Sequence, residues 1–316
     1  MPRRPKIVTL LPSATEHVAA LGYADAIVGR SHECDFPEGI EEATPLTVPR
    51  IDSSLPSGEI DRSVREALRD VLTVYELDVE ALEALEPDII VTQDLCDVCA
   101  VDFDDVSKAV EELGLDTEIV RLHPTKLDDI RRDLLSVAAV IGDIEAGEKA
   151  VAEMEDRYRA IRASVAPRES TPRTLTIEWI DPVMIGGTWM PEMIEMCGGQ
   201  CLVTKPGDHA PTLETEALKA LDPEVVLIKP CGFDLERTRE EKATLKALLD
   251  AMPWTAVETG RVYVADGNAY FNRSGPRIVD SAEILAACIH PELCGDYAAR
   301  HAGSFERIDE FLGESD

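Results

Sequence analysis

The chain has 316 residues, 62 acidic against 31 basic for a formal net charge of −31, and 45% of it is apolar. That length suggests two domains rather than one. The acidic excess excludes a nucleic-acid binder, whose phosphate contacts need clustered Lys and Arg, and reads instead as a solvated shell suited to a high-salt cytoplasm.

In chain order, the first apolar run is "KIVTLL" (6–11), which reads as a strand leading into the helix "TEHVAALG". Two arginines precede it, but the run is too short for the core of a signal peptide. No segment approaches the roughly 18 apolar residues of a membrane span. A cytoplasmic protein is therefore expected, with its eight cysteines reduced. Further strands are predicted at "AIVGR" (26–30), "DIIVTQ" (88–93) and "TEIVRL" (117–122), with helices at "SGEIDRSVREALRDV" (57–71) and "DVEALEAL". The second half repeats the alternation, with strands at "TLTIEWI" (174–180), "EVVLIK" (224–229) and "RVYVAD" (261–266). Short apolar runs alternating with helical patterns are the signature of parallel α/β sheets.

Between the halves, Val151, Met154, Tyr158, Ile161 and Val165 recur at spacings of three and four, so one face of a long helix is apolar. A helix of about 20 residues spans about 30 Å at 1.5 Å per residue, enough to cross from one domain to the other. The expected architecture is a pair of Rossmann-like α/β lobes with mostly parallel sheets. Residues 1–144 form the first lobe, 145–168 the linking helix and 169–316 the second lobe, with a ligand cleft between lobes and limited hinge motion.

Ligands of open parallel sheets bind beyond the carboxyl ends of the strands. Cys34 in "SHECDFP", Cys96 and Cys99 in "TQDLCDVC", and Cys231 in "KPCGFD" all follow predicted strands, so the four thiols are expected to converge on the cleft. Four thiolates, or three with His32, suit tetrahedral zinc or an iron–sulfur cluster. A cleft lined by thiols for a soft ligand, small buried cysteines packing as hydrophobes, and a dithiol redox pair remain open beside that reading. Ser13 in "PSATE" offers a hydroxyl at a helix start, where an anion can be held or an ordinary cap formed. The stretch "WIDPVMIGGTWM" brings Trp179 and Trp189 after a strand as a floor for a large flat ligand, or as packing aromatics. "DGNAYFNRSGPR" gathers Tyr270, Phe271 and Arg273, and the Arg273 fork suits a ligand carboxylate or amide. His32, Asp35, Phe36 and Gln93 complete the expected ligand contacts on the first lobe. No phosphate-binding glycine motif and no nucleophile elbow is present, which favours a binding protein over an enzyme.

Several stretches together resemble a known family. They are "KIVTLLPSATEHVAALGYADAIVGRS", "LEALEPDIIVTQ", the long linking helix, "MIEMCGG" and "YFNRSGPRIVDSAEILAA". The family is that of helical-backbone substrate-binding proteins of ABC importers, which carry cobalamin, ferric siderophores and haem. Its cobalamin branch is matched through "SHECDFP" and the Phe-x-Arg-x-x-Pro-Arg pattern at Phe271, Arg273, Pro276 and Arg277. The resemblance implies a monomer that grips a corrinoid or metal chelate between its lobes. It also implies an ABC permease as partner, docked through the glutamate matching Glu16, and an extracytoplasmic location as the alternative to a cytoplasmic one. The runner-up is a cytosolic metalloenzyme with a Cys-ligated zinc or iron–sulfur site in the same cleft.

Overall fold

Two parallel sheets, each flanked by helices, organise the chain into two lobes. The computed structural model describes residues 3–69, 74–94, 101 and 103–313. The first lobe contains β1 (Ile7–Thr9), α1 (Pro12–Ala20), β2 (Ile27–Arg30), β3 (Thr44–Pro45), β4 (Thr47–Pro49), α2 (Ser57–Arg69), β5 (Tyr75–Leu77), α3 (Val79–Leu85), β6 (Ile89–Gln93), α4 (Phe103–Leu113), β7 (Glu118–Leu122) and α5 (Leu127–Ile141). Its sheet runs β3-β2-β1-β6-β7, all parallel, and β4 pairs antiparallel with β5 beside it. The residues of β1 and β6 are buried throughout, as continuous apolar runs covered on both faces must be.

The predicted bridging helix is α6 (Ile144–Ser164), 21 residues long, with Asp143 accepting from the Ala146 N–H to cap its start. The second lobe continues with β8 (Arg173–Trp179), β9 (Met184–Ile185), α7 (Met190–Met196), β10 (Gln200–Cys201), α8 (Thr215–Lys219), β11 (Val225–Ile228), α9 (Leu235–Arg239), α10 (Lys242–Asp250), α11 (Thr255–Glu258), β12 (Val262–Ala265), α12 (Ile278–Ile289), α13 (Gly295–Arg300), β13 (Phe305–Arg307) and α14 (Ile308–Leu312). Its sheet runs β10-β8-β11-β12-β13, parallel except for β13, with β9 antiparallel on β8.

The lobes are not independent beads. One apolar core runs from α1 and α5 of the first lobe through Met154, Tyr158 and Ile161 of α6 into α7 and α12. Gly147 lets α6 approach α5 closely, since a Cβ there would lie 2.6 Å from that of Ala138. A helix packed on both lobes in this way resists large hinge rotation.

Candidate ligand site at the lobe seam

Because the strands of each main sheet are parallel, their carboxyl ends share one edge, and the loops leaving those edges meet across the seam. The loop after β2 supplies Asp35, and the loop after β12 supplies Asn268 and Arg273. Arg273 donates through both terminal nitrogens to Asp35, at 2.5 and 2.9 Å. Asn268 donates to Asp35 at 2.9 Å and accepts from Arg273 at 3.0 Å, closing a three-residue ring. Burial works against an ionised Asp35, but the Arg273 hydrogen bonds and charge outweigh it and hold the carboxyl below its usual range.

Beneath this ring, α1 carries Glu16, whose carboxylate accepts from Arg277 at 2.7 Å and lies 3.8 Å from Arg273. Burial pushes the Glu16 carboxyl up, and Arg277 offsets only part of that. The Arg277 guanidinium also lies 4.0 Å from the ring centroid of Phe36. On the next residue of α1, burial holds the His17 imidazole down at about 4, so it is neutral at physiological pH.

Further ties cross the seam. The first turn of α2 is capped from the other lobe: the Ser57 N–H and hydroxyl donate to Glu241 at 2.8 and 3.2 Å. Arg237 donates to the Leu55 carbonyl at 2.5 Å, and Gly58 packs so near Asp181 that a Cβ there would sit 2.4 Å from its carboxylate. Opposite them, Glu192 of α7 accepts from the Leu127 N–H at 2.8 Å, capping α5.

The predicted contacts divide into seam residues and core residues. His32 is half-buried, with Nδ1 2.7 Å from the Thr47 hydroxyl and its ring on Tyr75, and burial lowers its pKa. Trp179 ends β8 half-buried, its indole N–H on the Asp181 carbonyl at 3.0 Å and its ring on Phe233. Ser13 and Gln93 are buried at the ends of α1 and β6 that face the seam. Tyr270 is half-buried, its hydroxyl accepting from Ser304 at 3.3 Å. Phe271 and Trp189 are corrected. Phe271 is fully buried at φ +66°, and Trp189 is buried with its indole N–H on the Phe271 carbonyl at 2.9 Å. The two aromatics form the floor beneath the loop rather than its lining.

Glu16 is corrected as well. At 2% exposure and paired with Arg277, it is not presented to a permease in this conformation. Among the thiols, Cys96 and Cys99 lie outside the described residues. Cys231 is exposed beyond β11, whereas Cys34 is buried and accepts from the Thr15 hydroxyl at 3.0 Å. Burial pushes the Cys34 thiol up to about 11, so without a bound metal it is protonated at neutral pH. Among the described residues, the one group of three metal-ligating side chains is Asp280, Glu283 and His301. Arg157 and Arg300 neutralise it, so among the described residues no group supports the expected zinc or iron–sulfur site.

Sequence reasoning did not single out Asn268, Glu33, Lys229 or the Ser57–Glu241 cap. Glu33 accepts from the Tyr75 hydroxyl at 2.8 Å, and burial raises its pKa. Lys229, buried at the end of β11, donates to Glu178 at 2.9 Å and to Asn272 at 2.6 Å. Asn268, Glu33 and Lys229 each follow a strand, which was the available signal, whereas the Ser57–Glu241 cap joins its partners only in three dimensions.

A family model described as periplasmic binding protein matches residues 7–269. A cobalamin-binding protein of Halobacterium salinarum is 24% identical over 288 residues, spanning 90% of this chain and 69% of its own. The periplasmic vitamin B12 binding protein BtuF of Vibrio cholerae superposes with a TM-score of 0.65 at 19% identity, over 92% of this chain and 98% of its own. A periplasmic heme binding protein from Pseudomonas aeruginosa gives 0.69 at 22% identity, over 92% and 94%. These matches overturn the cytoplasmic expectation, because the family and its solved relatives are periplasmic; an extracytoplasmic location is the reading they support.

Proposed function

Since the chain belongs to the periplasmic binding protein family, we propose that it captures a corrinoid or related metal chelate between its lobes and presents it to an ABC permease. The observation that supports the reading is that Asp35, beyond β2 of one sheet, meets Arg273, beyond β12 of the other, with His32 on the same loop as Asp35 and Trp179 at the end of β8. A flat chelate with polar side groups needs aromatic faces and forked donors, and both are present there. The names of the Halobacterium and Vibrio relatives favour a corrinoid, while the Pseudomonas relative makes haem the comparison ligand.

The test is a titration with cyanocobalamin and, separately, haemin, followed by tryptophan fluorescence and ligand absorbance. The expected result is saturation by cyanocobalamin at one ligand per chain. Replacing Arg273 by Ala is expected to weaken binding at least about tenfold, the loss of a charge-assisted hydrogen bond. Absence of saturable binding by either ligand would sink the reading.

A further inference from the structure

We propose that the Arg273–Asp35 pair makes the cleft select ligands bearing neutral amide side chains over ligands bearing carboxylates, with Asp35 as the specificity-determining residue. The inference rests on the corrinoid or metal-chelate reading and narrows its ligand class.

Both terminal nitrogens of Arg273 are committed to Asp35, with Asn268 completing the ring. Arg277 is committed to Glu16, and Lys229 to Glu178 and Asn272. Each of these three seam cations therefore already has an acidic partner, and Glu33 adds another carboxyl near Arg273. The two members of the central pair come from opposite lobes, so a ligand side chain entering the seam must exchange into that pair.

An amide can do so without leaving either member unsatisfied. Its carbonyl accepts from Arg273 while its NH₂ donates to Asp35, because an amide carries both kinds of hydrogen-bonding group. A carboxylate can accept from Arg273 but has nothing to donate. Asp35 is then displaced from its strongest donor and left beside a like charge, retaining only the Asn268 amide. Discrimination of this kind comes from penalising the wrong ligand rather than from extra contacts to the right one. Corrinoids carry amides around the ring, whereas haem carries two propionates.

The experiment compares dicyanocobinamide with dicyanocobyrinic acid, the same ring with carboxylates in place of amides, on the wild-type chain and on Asp35→Asn. Wild type is expected to bind the amide form at least about tenfold more tightly, an unpaired charged group being the difference. Asp35→Asn is expected to narrow that ratio about tenfold, chiefly by tightening the acid. Asn268→Asp, which adds a carboxylate at the same point, is expected to widen it. Equal affinities in wild type, or a ratio unmoved by Asp35→Asn, would overturn the inference while leaving the corrinoid reading intact. Failure of the wild type to bind either corrinoid would overturn the parent reading and the inference together.

Discussion

The two arginines of the 271–277 loop sit four residues apart yet occupy different electrostatic settings. Arg273 faces Asp35, whose side chain is 50% exposed, so water still screens that pair. Arg277 faces Glu16, whose side chain is 1% exposed, and the second Glu16 carboxylate oxygen has no hydrogen-bond partner. Removing Arg277 takes the hydrogen bond from the buried Glu16 carboxyl, with Arg273 still 3.8 Å away, and Arg277→Ala is expected to cost about 3 kcal/mol of stability. Asp35→Asn is expected to cost about 1 kcal/mol or less, as for a solvent-screened pair. Urea unfolding of the two variants measures the difference; equal, small losses would show that Glu16 is not buried as described. This contrast explains why residue roles were only half legible in the sequence. The motif at Phe271, Arg273, Pro276 and Arg277 announced a seam loop, but chain spacing does not say which side chains turn inward. Phe271 is fully buried at a positive φ, and its backbone carbonyl accepts from the Trp189 indole.

Among the elements, α6 is tied to α12 by more than apolar packing. Arg157 of α6 donates to Asp280 at 2.5 Å and to Glu283 at 3.0 Å, and Glu283 also accepts from Arg300 and His301. Burial opposes ionisation of Glu283, yet the hydrogen bonds from His301 and Arg157 prevail and bring its pKa from 4.5 to about 2. Since the unfolded chain binds the proton more readily, this stabilisation is present above about pH 4.5 and is lost as pH falls toward about 2. Glu283→Gln is expected to lower the melting temperature at neutral pH and to flatten that acid limb. A variant whose acid limb matches wild type would contradict the assignment. The linking helix, the helix at 57–71 and the seven principal strands were readable from their apolar periodicity, whereas α4 and α5 were not singled out. The strands β3, β9 and β10 have two residues each, too short for any alternation to show. The Glu241 cap on α2 joins residues 184 apart and leaves no local trace.

At the scale of the molecule, residue pattern and family resemblance together gave two α/β lobes joined by a long helix, and the fold agrees. Cellular location was not legible, because a folded core is the same on either side of a membrane. The central claim is that ligand enters between lobes that touch in this structure, at Asp35–Arg273 on one side and at Ser57–Glu241 and Gly58–Asp181 on the other. A Cβ built on Gly58 lies 3.7 Å from the Cβ of Asp181, a separation that a disulfide spans without backbone movement. The decisive measurement is therefore cyanocobalamin uptake by the double variant Gly58→Cys/Asp181→Cys, oxidised and reduced, with each single variant as control for the native thiols. The account predicts that the oxidised, stapled chain takes up ligand at least about tenfold more slowly than its reduced form, since a covalent cross-link holds the entry path shut. Equal uptake by the stapled and reduced chains would place the ligand somewhere other than the seam.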